Sequence, residues 1–182
     1  MSPHELNELT ERARRVELLL MDVDGVLTDG RIWFVPSGDR LEEVKSFSVA
    51  DGAGIALAHR AGLATGIISG RSSRIVVERA RELDIDEVHI GIRDKSAALD
   101  AVARSRSISP DHMAFVGDDV VDLPAMRRVG LPVAVANASE DVKPHAAYVT
   151  SARGGEGAVR EVIELILKAQ GKWDSLVGEF LK

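Results

Sequence analysis

Leu18-Leu19-Leu20-Met21-Asp22-Val23-Asp24-Gly25 is the stretch whose reading decides the fold. Four consecutive apolar residues are too few for a signal-peptide core or a membrane span, and they stop abruptly at two carboxylates and a glycine. Such a run reads as a short strand buried on both faces, with its carboxyl end opening onto a loop. Extended back to Glu17–Met21, it is the first of a series. Similar runs recur at Ala64–Ile68, Glu87–Ile90, Met113–Val116 and Pro132–Ala136.

Between and after these runs the apolar residues fall at helical spacing. Helices are expected at Asp51–Ala61, Ser73–Leu83, Lys95–Ser105, Val120–Val129 and Gly157–Gln170. Another precedes the first strand: Ser2 stands as N-cap, Pro3 at the first helical position and Glu5 closes a capping box. Leu6, Leu9, Ala13 and Val16 then share one face. Short strands alternating with amphipathic helices imply an α/β fold, a Rossmann-like parallel sheet with helices on both faces. Residues 1–182 read as one domain, with no separate cap domain. Its insertion is a small β-hairpin at about 31–49, with arms Arg31–Val35 and Leu41–Val49 around the turn Pro36-Ser37-Gly38-Asp39. A tail, 171–182, places Trp173, Leu176, Val177, Phe180 and Leu181 on one helical face. It is expected to dock on its own subunit, with a neighbour's site as the alternative.

Composition narrows the function. The chain of 182 residues is 45% hydrophobic and 29% charged, ordinary values for a soluble globular protein. Aromatics make up only 4%, so the core must rest on Leu, Ile, Val and Ala. The net charge of −6 argues against a nucleic-acid partner. Cysteine is absent, which excludes a disulfide framework, a thiolate metal site and a cysteine nucleophile. No membrane partner is indicated, and a cytoplasmic enzyme is expected.

Ligands of an open parallel sheet collect at the carboxyl ends of its strands. There the sequence places Asp22-Val23-Asp24, then Ser69-Gly70-Arg71, then Gly117-Asp118-Asp119 with Asp122 one turn on, and Lys95 after the Glu87–Ile90 strand. Five carboxylates in one crevice raise one another's pKa unless a cation joins them. All-oxygen ligands with open positions suit Mg2+. The metal can clamp a phosphate for attack by Asp22, while Asp24 serves as proton donor to the leaving alcohol. Lys95 adds positive charge, and Ser69 with helix N-terminal amides adds hydrogen bonds. Taken singly, Asp118-Asp119 reads as a helix cap and Asp94-Lys95 as an ordinary helix start. The five histidines show no ligand spacing.

The ordered set is more specific. Asp22-Val23-Asp24-Gly25-Val26-Leu27-Thr28-Asp29-Gly30 resembles the first motif of haloacid dehalogenase superfamily phosphatases, and Ser69, Lys95 and Gly117-Asp118-Asp119 with Asp122 match the next three. Lys45-Ser46-Phe47, Asp51-Gly52-Ala53-Gly54-Ile55, Ser69-Gly70-Arg71-Ser72-Ser73 and Arg153-Gly154-Gly155 extend the likeness to the branch acting on 3-deoxy-D-manno-octulosonate 8-phosphate (KDO 8-phosphate), a lipopolysaccharide sugar, whose relatives act on nonulosonate 9-phosphates. The resemblance implies catalytic roles for Asp22, Asp24, Ser69 and Lys95, and magnesium held by Asp22, the Asp24 carbonyl and Asp118. It leaves Asp119 and Asp122 to orient ligands, and Ser69, Gly70, Arg71 and Lys95 to meet substrate. Arg71 and Arg153 read equally as solvated charges or as contacts for the sugar acid.

The same resemblance implies a homotetramer joined through the hairpin, each subunit covering a neighbour's site. The hairpin sequence agrees: the contiguous run Ile32–Val35 puts apolar side chains on both strand faces, one to pack on the parent domain and one to meet a partner. A different class of function also fits a strand-end Asp with a Ser and a Lys, namely a phosphoacceptor receiver module. Asp24 speaks against it, because a long-lived acyl phosphate has no use for a proton donor. A regulatory domain tethered to a synthetase is a third, weaker possibility.

Overall fold

Ser2 opens the first helix as its sequence dictates: its hydroxyl accepts from the Glu5 amide and the Glu5 carboxylate returns the bond to the Ser2 amide. The computed structural model describes residues 2–181. Helix α1 (Pro3–Arg14) buries Leu9 and Ala13, and Val16 follows them into the core, whereas Leu6 stays exposed. The chain then enters β1 (Leu18–Met21), all four residues of which are fully buried. Hiding each Leu side chain there is worth about 1.5–3 kcal/mol relative to exposure.

Six strands make one parallel sheet. They are β1, β4 (Ala64–Ser69), β5 (Glu87–Ile90), β6 (Met113–Gly117), β7 (Leu131–Ala134) and β8 (Tyr148–Val149), in the spatial order β5-β4-β1-β6-β7-β8. Leu20 of β1 lies opposite Gly66 on one side and Phe115 on the other. Numbered within the sheet this is the order 3-2-1-4-5-6, with the topological switch between β1 and β6. The 2-1-3-4-5 order of receiver domains is therefore excluded.

Helices α1, α2 (Val49–Arg60) and α6 (Ala158–Ala169) pack together over one face, with α3 (Arg74–Glu82) beside α2. The other face carries α4 (Lys95–Arg106) and α5 (Leu123–Met126). Phe115 is the single aromatic among the largest fully buried side chains; the rest of the core is aliphatic, as the composition required. Among the described residues no helix is long and apolar enough to cross a membrane.

Three expectations need correction. The helix read over Val120–Val129 is a 3-10 turn, Val120–Asp122, followed by the four-residue α5. Asp119 and Asp122 form a reciprocal capping box and Pro124 starts a new helix immediately after it. The hairpin arms are β2 (Trp33–Ser37) and β3 (Arg40–Val44), so the second arm ends well before Val49. Beyond Val44 the chain turns inward: Lys45 is buried, Phe47 bridges to Thr28 and Ser48 caps α2. Nor does one hairpin face pack on the parent domain, since Trp33, Phe34, Val35, Leu41 and Val44 are all exposed. The tail forms α7 (Trp173–Glu179) and docks on its own chain. Leu176 is buried, Trp173 lies under the Arg160 and Lys168 cations, and Lys172 Nζ donates to the Ala61 carbonyl at 3.0 Å.

Candidate active site

Strand β1 delivers Asp22 to the switch point, where it is buried with 6% of its surface exposed. Its amide donates to the Val116 carbonyl of β6, so the residue is held in the sheet frame. Gly25 completes the turn at φ +95°, and a Cβ there would collide with the Asp118 carboxylate. That collision explains the glycine: the turn after β1 and the loop after β6 come closer than a side chain allows. Gly154 makes the same close approach from the far side, its missing Cβ facing the Gly25 carbonyl, while its amide donates to Asn137 Oδ1 at 2.7 Å.

The four separated segments converge. Lys95, first residue of α4 and capped by Asp94, buries its stem and places Nζ 2.8 Å from Asp22 Oδ1 and 2.6 Å from Asp122 Oδ1. Asp122 is fully buried, and its second oxygen accepts from the amides of Asp118 (2.9 Å) and Asp119 (3.3 Å). Its acceptors are thus already engaged, and it shapes the Asp118-Asp119 loop. Ser69 ends β4 almost completely buried. Asp22, Asp24, Ser69, Gly70, Arg71, Lys95, Asp118 and Asp119 line one cleft of about 400 Å³, which Ile92, Arg93 and Val121 complete. Asp122 stands behind this wall. Arg153 is exposed and does not line the cleft.

The electrostatics are those of a site built for a cation. Burial, the nearby Asp122 and an incomplete offset from Lys95 push the Asp22 carboxyl up to about 6. Burial together with Asp122, Asp22 and Asp119 pushes Asp118 to about 7. Burial works against the Lys95 ammonium, but the Asp22 and Asp122 carboxylates outweigh it and hold its pKa above the ordinary value. One oxygen each of Asp22, Asp118 and Asp122 lies within 4.8 Å of the others. With Asp122 occupied by Lys95 and two amides, Asp22 and Asp118 are the carboxylates left to bind. Two hard oxygen donors beside an open cleft fit magnesium. The Asp24 carboxylate is not in this group.

Asp24 instead faces Lys45 and Arg71. Its Oδ1 is paired with Lys45 Nζ, and its Oδ2 lies 3.4 Å from Arg71 Nε, buried and without a hydrogen bond. Glu43, from β3, reaches Arg71 at 3.4 Å, Lys45 at 3.6 Å and the Ser73 hydroxyl at 2.6 Å. Neither Lys45 nor Glu43 stands out by sequence reasoning, although Lys45 belongs to a quoted motif segment. A Lys after Glu42-Glu43 on a hairpin arm reads as a solvated charge, and only its near-zero exposure contradicts that.

Known proteins share this sequence pattern and fold. The chain is 42% identical to the 3-deoxy-D-manno-octulosonate 8-phosphate phosphatase KdsC of Salmonella typhimurium over 98% of its own length and 92% of that protein. The chain belongs to the haloacid dehalogenase-like phosphatases. A model of haloacid dehalogenase-like hydrolases matches residues 87–163 of this phosphatase. Its fold superposes on a probable YrbI family phosphatase from Pseudomonas syringae with a TM-score of 0.93, at 43% identity over 97% of this chain and 98% of that one. The 3-deoxy-D-manno-octulosonate 8-phosphate phosphatase of Moraxella catarrhalis, solved with magnesium, phosphate and KDO, gives 0.92 at 41% identity over 96% and 98%. This haloacid dehalogenase-like phosphatase is accordingly a phosphoric monoester hydrolase, and its acidic cluster is of the kind that holds magnesium.

Proposed function

We propose that the enzyme hydrolyses 3-deoxy-D-manno-octulosonate 8-phosphate, a step toward a lipopolysaccharide sugar, through an aspartyl-phosphate on Asp22. The observation that carries this reading is the placement of Asp22. It is a buried carboxylate on a rigid strand end, touching Lys95 and opening on a cleft that also holds Ser69, Arg71 and Asp118. The substrate assignment is supported by the likeness to phosphatases of that compound.

Asp22, Asp118 and the Asp24 backbone carbonyl would hold magnesium, which neutralises phosphate charge and orients it when bound. Lys95 and the Ser69 hydroxyl grip the phosphoryl oxygens, with Gly70 leaving room for them and Arg71 reaching the sugar acid. An Asp22 oxygen attacks phosphorus, the phosphorus–ester oxygen bond breaks, and Asp24 gives its proton to the departing alkoxide. Asp24 then takes a proton from water as that water attacks the aspartyl-phosphate, releasing inorganic phosphate and restoring Asp22. Asp119 and Asp122 orient the loop that carries Asp118.

Residues 1–182 act as one domain, in the cytoplasm. The active form is a homotetramer in which hairpins associate. The test is phosphate release from octulosonate 8-phosphate and from nonulosonate 9-phosphate with and without magnesium. A preference for the first, abolished by chelation and by Asp22→Asn, is the expected result. A preference for the second reassigns the substrate, and metal-independent turnover ends the mechanism.

A further inference from the structure

Lys45 is the one buried cation of the site that the mechanism above leaves without a task. Its side chain is fully shielded from solvent, an expensive place for an ammonium unless its partners matter. Those partners are the Asp24 Oδ1 oxygen and, at 3.6 Å, Glu43 Oε1. The two oxygens of Asp24 are therefore not equivalent. Oδ1 is held by a group that can only donate, and Oδ2 is buried with no hydrogen-bond partner. We propose that Lys45 is a positioning residue that fixes the Asp24 carboxylate, the proton donor of the proposed reaction, in one rotamer.

The geometry supports the assignment at both ends of the lysine. Lys45 follows β3 directly, and Phe47 and Ser48 pin the next residues to Thr28 and to the start of α2. The backbone of Lys45 is thus fixed by its neighbours, and Glu43 stands 3.6 Å from the ammonium as a second counter-ion. Glu43 is itself held by Ser73 and Arg71, so Lys45 keeps a second counter-ion whatever Asp24 does. Arg71, by contrast, is half exposed and makes no hydrogen bond to Asp24, so it does not set that rotamer. Losing Lys45 frees a short carboxylate to rotate, and proton delivery is sensitive to such misplacement.

This inference rests on Asp24 as the proton donor, and the experiment separates the two. Proton donation matters for an alkoxide leaving group and little for p-nitrophenolate. The quantity to measure is kcat/KM, which covers steps up to leaving-group departure, on octulosonate 8-phosphate and on p-nitrophenyl phosphate. Lys45→Met should lose about 100-fold on the sugar phosphate and less than about 10-fold on the aryl ester, within the range that general acids supply. Asp24→Asn should show the same asymmetry, and Lys45→Arg should recover part of it. Equal losses on both substrates in Lys45→Met, beside an asymmetric Asp24→Asn, overturn the role of Lys45 alone. Symmetric losses in Asp24→Asn overturn the donor assignment and this inference with it. Should Lys45→Met unfold by circular dichroism, Lys45→Gln carries the same comparison.

Discussion

Asp118 and Asp122 sit four residues apart on one loop and hold opposite positions in the site. Asp118 lines the cleft with its carboxyl pushed to about 7, while Asp122 is fully buried with both oxygens engaged, by Lys95 and by two amides. Asp118→Ala should therefore cost magnesium affinity, read by calorimetric titration, and leave the metal-free melting temperature unchanged or higher. Asp122→Ala breaks a buried ion pair and orphans two amides, a loss of about 3–5 kcal/mol, or on the order of 10 °C in melting temperature. Asp22→Asn preserves shape but removes the proposed attacking anion, so turnover should fall by several orders of magnitude without loss of fold. The raised carboxyls also fix a pH dependence. In the metal-free protein the folded state holds protons on Asp22 and Asp118 that the unfolded chain has released. Their contribution to stability is whole below the ordinary carboxyl value and fades as pH rises through about 6 to 7. Magnesium binds the ionised form, so the melting-temperature increment it confers should grow from about pH 5 to about pH 8. A constant increment would contradict a metal site at Asp22 and Asp118.

At the level of elements, the buried carboxylate of Asp51 shows how helices are tied to the site's scaffold. It lies in the first turn of α2 yet accepts from the amides of Arg160 (2.8 Å) and Gly157 (3.3 Å), capping α6 across the layer. Asp51→Ala should cost about 1–2 kcal/mol, the value of a cap, and lower the melting temperature by about 2–8 °C. Asp51→Asn retains an acceptor and should lose less. Sequence periodicity carries far where elements are long or uniform. The strand read at Glu87–Ile90 is the strand observed, and the α4 expectation missed by one residue at its end. It fails where local chemistry overrides pattern. The Asp119–Asp122 box and Pro124 cut one expected helix in two, and the two residues of β8 are too few to show a period. Of the cleft, Asp22, Ser69, Lys95 and Asp118 were legible because each ends or follows a strand. Lys45 and Glu43 were not, since their importance depends on where a hairpin arm turns inward.

For the whole molecule, the hairpin is an element whose apolar side chains its own chain leaves uncovered. A two-stranded ribbon is marginal in water, and this one exposes Trp33, Phe34, Val35 and Leu41. Charged substitutions at Trp33 and Phe34 should dissociate the proposed tetramer in light scattering and lower activity while the far-ultraviolet spectrum stays intact. A wild-type monomer, fully active when dilute, would refute the shared assembly. The chain carries two tryptophans, and their settings differ. Trp33 stands in solvent on the ribbon, whereas Trp173 lies against the chain's own helices beneath Arg160 and Lys168. Each is therefore a built-in fluorophore for a different event. In a Trp173→Phe protein the remaining emission should shift to the blue as concentration rises and subunits meet. In a Trp33→Phe protein the emission should be indifferent to dilution and change only when the chain unfolds.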